Sequence, residues 1–129
     1  MPRRKPIRTA LIVEDDAIIA QAMAETMHDA GIRDIRFAAT TEEALAQLRE
    51  GRPDALVLDV HLADRADGWS IAELVSVIGP NPPQIVFATG VPGEIPPDIA
   101  RIGTVLEKPV SRQALLDALF PDPAAKGLV

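Results

Sequence analysis

Short apolar runs alternate along the chain with longer segments in which apolar residues recur every three or four positions. The first pattern is typical of buried β-strands and the second of amphipathic helices. The apolar runs predict five strands, at residues 7–13, 32–38, 55–58, 85–88 and 104–106. Residues 55–58 are the most uniformly apolar, so we expect this strand at the centre of the sheet. The alternation of strand and helix predicts a parallel α/β sheet with helices on both faces.

Capping residues predict where the first two helices begin and end. Asp16 precedes a helical pattern that reaches Gly31, a natural helix stop. Thr40 and Glu43 form a capping-box pattern before the second helix, which should end near Gly51.

The later helices are less regular than the first two. A third helix is expected over residues 68–78, with a stop at Gly79, and Ser111 should cap the last helix. Residues 90–97 are rich in glycine and proline. The fourth helix is therefore expected to be short or absent, with at most one turn after Pro97.

Length, composition and charge narrow the classes of function. The 129 residues suit one domain, which we place at residues 7–120, with a flexible basic tail at residues 1–6 and a flexible tail at residues 121–129. A net charge of −6 argues against binding to nucleic acid or to an anionic membrane. The absence of cysteine excludes disulfides and thiolate metal sites, and no apolar run is long enough to span a bilayer. We therefore expect a cytoplasmic protein.

Reactive side chains follow the predicted strands at their carboxyl ends. In an open parallel sheet these ends form one edge, where ligands bind. The candidates at this edge are Glu14, Asp15, Asp59, Thr89, Gly90 and Lys108. Clustered carboxylates repel one another unless a cation neutralises them, and hard oxygen ligands suit Mg²⁺ or Mn²⁺. The pattern therefore predicts a metal site.

A cation beside Asp59 would make this carboxylate a plausible nucleophile toward phosphorus. Lys108 could then neutralise one phosphoryl oxygen, the Thr89 hydroxyl could donate to another, and the Gly90 amide could approach closely. These roles together predict a phosphoacceptor site at Asp59.

At these residues the sequence resembles the receiver domains of bacterial two-component response regulators, which have a three-layer flavodoxin-like (βα)5 fold. The resemblance covers nearly the whole chain. It rests on the acidic residues that end the segment 11–16, the run 56–59, Asp67 with Gly68, Thr89, and Lys108 with Pro109.

The resemblance implies that a sensor histidine kinase or a histidine phosphotransferase phosphorylates Asp59. It also implies that Mg²⁺ is bound directly by Asp15, Asp59 and the backbone carbonyl of His61, and through water by Glu14. The bond between Lys108 and Pro109 is expected to be cis.

Residues 87–91 further resemble the receiver subclass with the signature Phe-Ala-Thr-Gly-hydrophobic-Tyr (FATGUY), although Pro92 replaces the tyrosine. That subclass has a poorly formed fourth helix and works with HWE or related histidine kinases. Val105 stands where most receivers carry an aromatic switch residue. We therefore expect phosphorylation to signal by ordering residues 90–101.

We interpret the chain as a stand-alone receiver that is not an enzyme in its own right. It would act on a downstream protein target, or drain phosphate from a kinase that serves several receivers, and a homodimer is left open. One alternative is a phosphatase or phosphotransferase that forms an aspartyl phosphate, although His61 stands where the haloacid dehalogenase type has a second aspartate. The other alternative is a pseudo-receiver that serves only as an interaction scaffold.

Overall fold

A five-stranded parallel sheet forms the middle layer of the molecule, in the strand order β2-β1-β3-β4-β5. The computed structural model describes residues 6–62, 64, 67–77 and 81–121. The strands are β1 (Thr9–Val13), β2 (Asp34–Ala38), β3 (Ala55–Asp59), β4 (Gln84–Thr89) and β5 (Thr104–Glu107). The prediction that β3 is central is confirmed, and every residue of β3 is buried.

Helices connect successive strands and cover both faces of the sheet. They are α1 (Ala17–Asp29), α2 (Thr41–Glu50), α3 (Trp69–Ser76), α4 (Pro97–Ala100) and α5 (Arg112–Leu119). The predicted stop of helix three at Gly79 and most of both predicted tails lie outside the described residues. Within the described ranges, no helix has the length and apolar character that crossing a membrane requires.

The predicted caps hold the helix starts in place. The Asp16 carboxylate accepts the N–H of Ile18 at 2.9 Å, and the Thr40 hydroxyl accepts the N–H of Glu43 at 3.1 Å. Ser111 caps α5 in the same way. Each cap satisfies amide groups that have no partner inside their helix, so the sequence fixes these starts locally.

The connection between β4 and β5 contains little helix, as predicted. A 3₁₀ turn at Pro92–Glu94 is followed by α4, which is one turn long and begins at Pro97. Proline has no N–H to donate, so it is tolerated at a helix start and disfavours a longer helix across this segment.

Two aliphatic cores lie on opposite faces of the sheet. On one face, α1 and α5 pack on the strands through residues such as Met27, Leu115 and Leu119. On the other face, α2, α3 and α4 pack on the strands, with Phe87 of β4 completely buried among them. The result is the expected three-layer sandwich, and the carboxyl ends of all five strands meet at one edge.

Candidate functional site

An acidic cluster lies at the carboxyl edge of the neighbouring strands β1 and β3. Glu14 follows β1 and Asp59 ends β3, and these strands pair with Val13 opposite Leu58. Carboxylate oxygens of Glu14, Asp15 and Asp59 all lie within 4.8 Å of one another. Glu14 is 5% exposed and Asp59 is 4% exposed, whereas Asp15 is open to solvent.

Lys108 brings a positive charge into this cluster from the end of β5. Its Nζ lies 2.9 Å from Glu14 Oε1 and 3.3 Å from Asp59 Oδ1. The Lys108 N–H donates to the Thr89 carbonyl at 2.8 Å, and the bond to Pro109 is cis, as the resemblance implied. Residues that follow β1 and β5 therefore meet at the carboxylate that ends β3.

The pKa values of the cluster reflect burial first and the neighbouring charges second. Burial, and then the hydrogen bond with Asp59, raises the pKa of Glu14 above its usual range, and the opposing effect of Lys108 does not cancel them. Partial desolvation beside the cluster, and then the hydrogen bond with Glu14, raise the pKa of the exposed Asp15 as well. Burial alone would lower the pKa of Lys108, but its contacts with Glu14 and Asp59 outweigh burial and raise it.

Thr89 ends β4 beside this cluster and is completely buried. Its Oγ1 accepts the N–H of Val91 at 3.0 Å, which leaves the hydroxyl proton as a donor. The next residue, Gly90, is exposed, and a Cβ built there would meet no atom within 4 Å. Packing within the protein therefore does not require glycine at position 90.

His61 lies beside the site, and both its backbone and its side chain make contacts there. Its N–H donates to Asp59 Oδ1 at 3.2 Å. Its Nε2 makes a short contact with Glu94 Oε2, although Glu94 is distant in sequence. The role of the His61 carbonyl as a metal ligand stays a prediction.

The family of this chain follows from comparison with known proteins. The profile of the response regulator receiver domain family matches residues 10–120. The chain belongs to this family. Receiver domains interact with histidine kinases or histidine phosphotransferases, which agrees with the partner class that the sequence suggested.

Relatives with longer chains contain a segment similar to this chain. The protein-glutamate methylesterase/protein-glutamine glutaminase 1 of Syntrophus aciditrophicus is 34% identical over 104 residues, which are 77% of this chain and 29% of the relative. The corresponding protein of Nitrosospira multiformis is 30% identical over 118 residues, which are 91% of this chain and 30% of the relative. The chain thus spans less than a third of the length of these curated relatives.

Solved receiver structures share the fold. A CheY-like receiver domain from Methylobacillus flagellatus superposes with a TM-score of 0.74 at 20% identity, over 95% of this chain and 98% of that one. The chemotaxis response regulator CheY4 of Vibrio cholerae superposes with a TM-score of 0.71 at 25% identity, over 88% of this chain and 97% of that one. These matches confirm the flavodoxin-like fold, while the FATGUY subclass stays a prediction.

The acidic cluster of the receiver domain suits a hard divalent cation. Among the described residues, Glu14, Asp15 and Asp59 form a group of carboxylates close enough to hold one ion. Desolvation, and after it the neighbouring carboxylates, raise the pKa values of Glu14 and Asp15, so a bound cation would favour their charged forms. Carboxylate oxygens are the ligands that Mg²⁺ prefers, so the residues present fit the predicted ion.

Three residues that support the receiver site were not singled out from the sequence for that purpose. A Cβ on Gly68 would lie 2.5 Å from the Asp59 carbonyl oxygen, so only glycine fits there. The Asp64 carboxylate accepts the N–H of Thr41 at 2.9 Å at the start of α2. Glu94 contacts His61. Asp67 and Gly68 could be recognised in the sequence because they form part of the receiver resemblance. Asp64 and Glu94 could not, because they contact residues that are distant in the sequence.

Proposed function

We propose that this receiver domain accepts a phosphoryl group on Asp59 from a phosphohistidine of a kinase or phosphotransferase. The observation that carries the proposal is the buried Asp59 carboxylate, with Glu14 beside it and Lys108 Nζ 3.3 Å from its Oδ1. A buried acid held between opposite and like charges is typical of reactive carboxylates.

In the proposed transfer, an Asp59 carboxylate oxygen attacks phosphorus. An O–P bond forms, the N–P bond of phosphohistidine breaks, and the imidazole leaves with the electron pair. The His61 N–H and Lys108 both contact Oδ1, so we assign the attack to Oδ2.

Residues of the domain stabilise the added charge. Lys108 can shift from the carboxylates to a phosphoryl oxygen, the Thr89 hydroxyl can donate to a second, and the Gly90 N–H to a third. Glu14, Asp15, Asp59 and the His61 carbonyl would hold Mg²⁺. When bound, the ion neutralises the carboxylates and shields the phosphoryl group from them.

A change in contacts with another protein would carry the signal. Phosphorylation would draw Thr89 toward the phosphoryl group and alter residues 90–101, since Val91 is bonded to the Thr89 hydroxyl. A receiver that acts alone would present this change to a downstream protein, and one within a longer protein would present it to another part of that protein. A phosphate sink would only drain phosphate from its kinase.

Titration with Mg²⁺ and then beryllofluoride tests the proposal, with Trp69 as the reporter. Trp69 is the single tryptophan and opens α3 directly after Gly68, whose N–H bonds the Val60 carbonyl at 2.8 Å. We expect the wild type to respond to both additions and Asp59→Asn to lose the beryllofluoride response. Asp98→Asn removes an exposed acid of α4 and serves as the matched control.

The same samples discriminate the alternatives. Repeated turnover of a small phosphate ester would indicate a phosphatase. No response from the wild type to either addition would overturn the proposal and favour an interaction scaffold. Intact mass spectrometry after incubation with acetyl phosphate counts the added phosphoryl groups, and we expect one on the wild type and none on Asp59→Asn.

A further inference from the structure

The contact between His61 and Glu94 joins two loops at the site edge. His61 lies two residues after the end of β3, and Glu94 closes the 3₁₀ turn that follows β4. Their side chains are 48% and 36% exposed, so water screens the pair and its contribution to overall stability is small. We therefore look for the effect of the contact in the positions that it imposes on the two loops.

The backbone of His61 is what this contact holds. The His61 N–H donates to Asp59 Oδ1 at 3.2 Å, the oxygen that Lys108 also approaches. A side chain fixed at its far end restricts the rotation of its own peptide units. Glu94 is therefore placed to limit movement of the group that orients the Asp59 carboxylate.

Hydrogen bonds also connect the 3₁₀ turn with Thr89. The Glu94 N–H donates to the Val91 carbonyl at 3.0 Å, and the Val91 N–H donates to Thr89 Oγ1 at 3.0 Å. A continuous series of contacts thus runs from Asp59 through His61, Glu94 and Val91 to Thr89. It connects the proposed nucleophile with the proposed hydroxyl donor outside the sheet.

We propose that Glu94 is a positioning residue of the receiver site, acting through His61. It keeps the His61 N–H on Asp59 and would fix the His61 carbonyl as a ligand for Mg²⁺. This inference rests on the proposed function, in which that carbonyl is a metal ligand. Glu94 lies outside the carboxylate cluster, so its effect on the cation is indirect.

Two variants and a control test the role of Glu94. Glu94→Ala removes the contact, and Glu94→Gln keeps a group that can hydrogen-bond His61. Asp98→Ala removes another exposed carboxylate, which belongs to α4 and lies four residues further along the chain. The control therefore reports any general effect of lost negative charge near the site.

The first measurement needs no metal. In metal-free protein we expect amide hydrogen exchange at His61 to be about threefold to tenfold faster in Glu94→Ala than in the wild type. The exchange rate in Asp98→Ala should equal that of the wild type. The rate in Glu94→Gln should lie between those of the wild type and Glu94→Ala. An unchanged rate in Glu94→Ala would show that Glu94 does not hold the His61 backbone and would overturn the inference.

The second measurement is Mg²⁺ affinity, read from Trp69 fluorescence. We expect Glu94→Ala to weaken binding by about threefold to tenfold with an unchanged melting temperature. The double variant with His61→Ala should be no weaker than His61→Ala alone, because Glu94 acts through that side chain. If the wild type binds Mg²⁺ and Glu94→Ala binds it equally well, this inference fails alone. If the wild type binds neither Mg²⁺ nor beryllofluoride, the proposed function fails as well.

Discussion

Two aspartates flank the central strand β3, and their surroundings differ. Asp54, just before the strand, accepts the N–H of Arg8 at 2.9 Å and that of Thr9 at 3.2 Å through Oδ2. Asp59, at the other end, has Glu14 and Lys108 as neighbours. Asp54 thus accepts two main-chain N–H groups, whereas Asp59 accepts one, from His61, and lies among charged side chains.

This difference separates a structural acid from the proposed phosphoacceptor, and we call the Asp59 end of β3 the reactive end. The main-chain bonds of Asp54 tie the start of β1 to the start of β3. The charges around Asp59 are unbalanced, which destabilises the folded protein and favours binding of a cation. Functional sites commonly carry such a cost, whereas structural sites do not.

The largest effect is expected from Gly68→Ala, which disturbs only the reactive end. The new Cβ would lie 2.5 Å from the Asp59 carbonyl oxygen and 2.9 Å from that of Val60. Because main-chain atoms cannot yield easily, we expect a loss of about 3 kcal/mol in the free energy of unfolding by urea. Phosphorylation of Asp59 should also slow. Gly93→Ala is the control, since its Cβ would meet nothing within 4 Å.

Asp54→Ala disturbs the structural end. It leaves the amides of Arg8 and Thr9 without their carboxylate partner, and we expect a loss of about 2 kcal/mol in urea unfolding. Asp34→Ala removes an exposed acid at the same edge of the sheet and should change stability very little. Phosphorylation of Asp54→Ala below its unfolding midpoint should proceed normally. A lost reaction with intact stability would contradict the comparison.

Asp59→Asn should shift stability in the opposite direction. Without metal, the variant relieves repulsion with Glu14, and we expect it to be about 1 kcal/mol more stable than the wild type in EDTA. Adding Mg²⁺ should stabilise the wild type more than the variant and so reduce the difference. Thermal unfolding with and without Mg²⁺ measures both effects. A less stable variant in EDTA would show that the carboxylate is not under strain from its neighbours.

Asp64→Ala should have the smallest effect on the free energy of unfolding. It tests whether an acid bonded to main-chain donors is structural even when it lies near Asp59. Asp64 lies at the reactive end, yet main-chain donors satisfy it, and the N–H of Thr41 is the main cause of its lowered pKa. A carboxyl with a lowered pKa stabilises the fold above its ordinary pKa of 3.8 and loses that contribution as the pH falls through the folded value. The variant should therefore be less stable at neutral pH, and the difference should vanish in acid. Urea unfolding across pH checks this, and a difference that grows in acid would refute it.

Much of the fold could be predicted from local sequence signals. The uniform apolar run of β3 predicted a central strand, and Asp16 and Ser111 predicted helix starts that the structure confirms. Glycine and proline predicted a one-turn α4. These features depend on neighbours in the chain, so the printed sequence already contains their causes.

The sequence predicted which residues form the candidate site, but not the contacts among them. Glu14, Asp59 and Lys108 were expected at one edge because parallel strands share that edge, and the structure brings them together. The sequence did not reveal that Lys108 bridges two carboxylates. Glu94 also gave no signal, because an acid in a loop rich in glycine and proline resembles any solvated residue.

The sequence by itself determined the strand and helix pattern, the edge at which the chemistry lies and the acids gathered there, because these follow from periodicity and from the geometry of a parallel sheet. Only the tertiary structure decided which carboxylates are buried, which amide holds Asp59 and that Glu94 holds His61. The physical reason is that burial, hydrogen-bond direction and contacts between loops depend on packing among residues far apart in the chain.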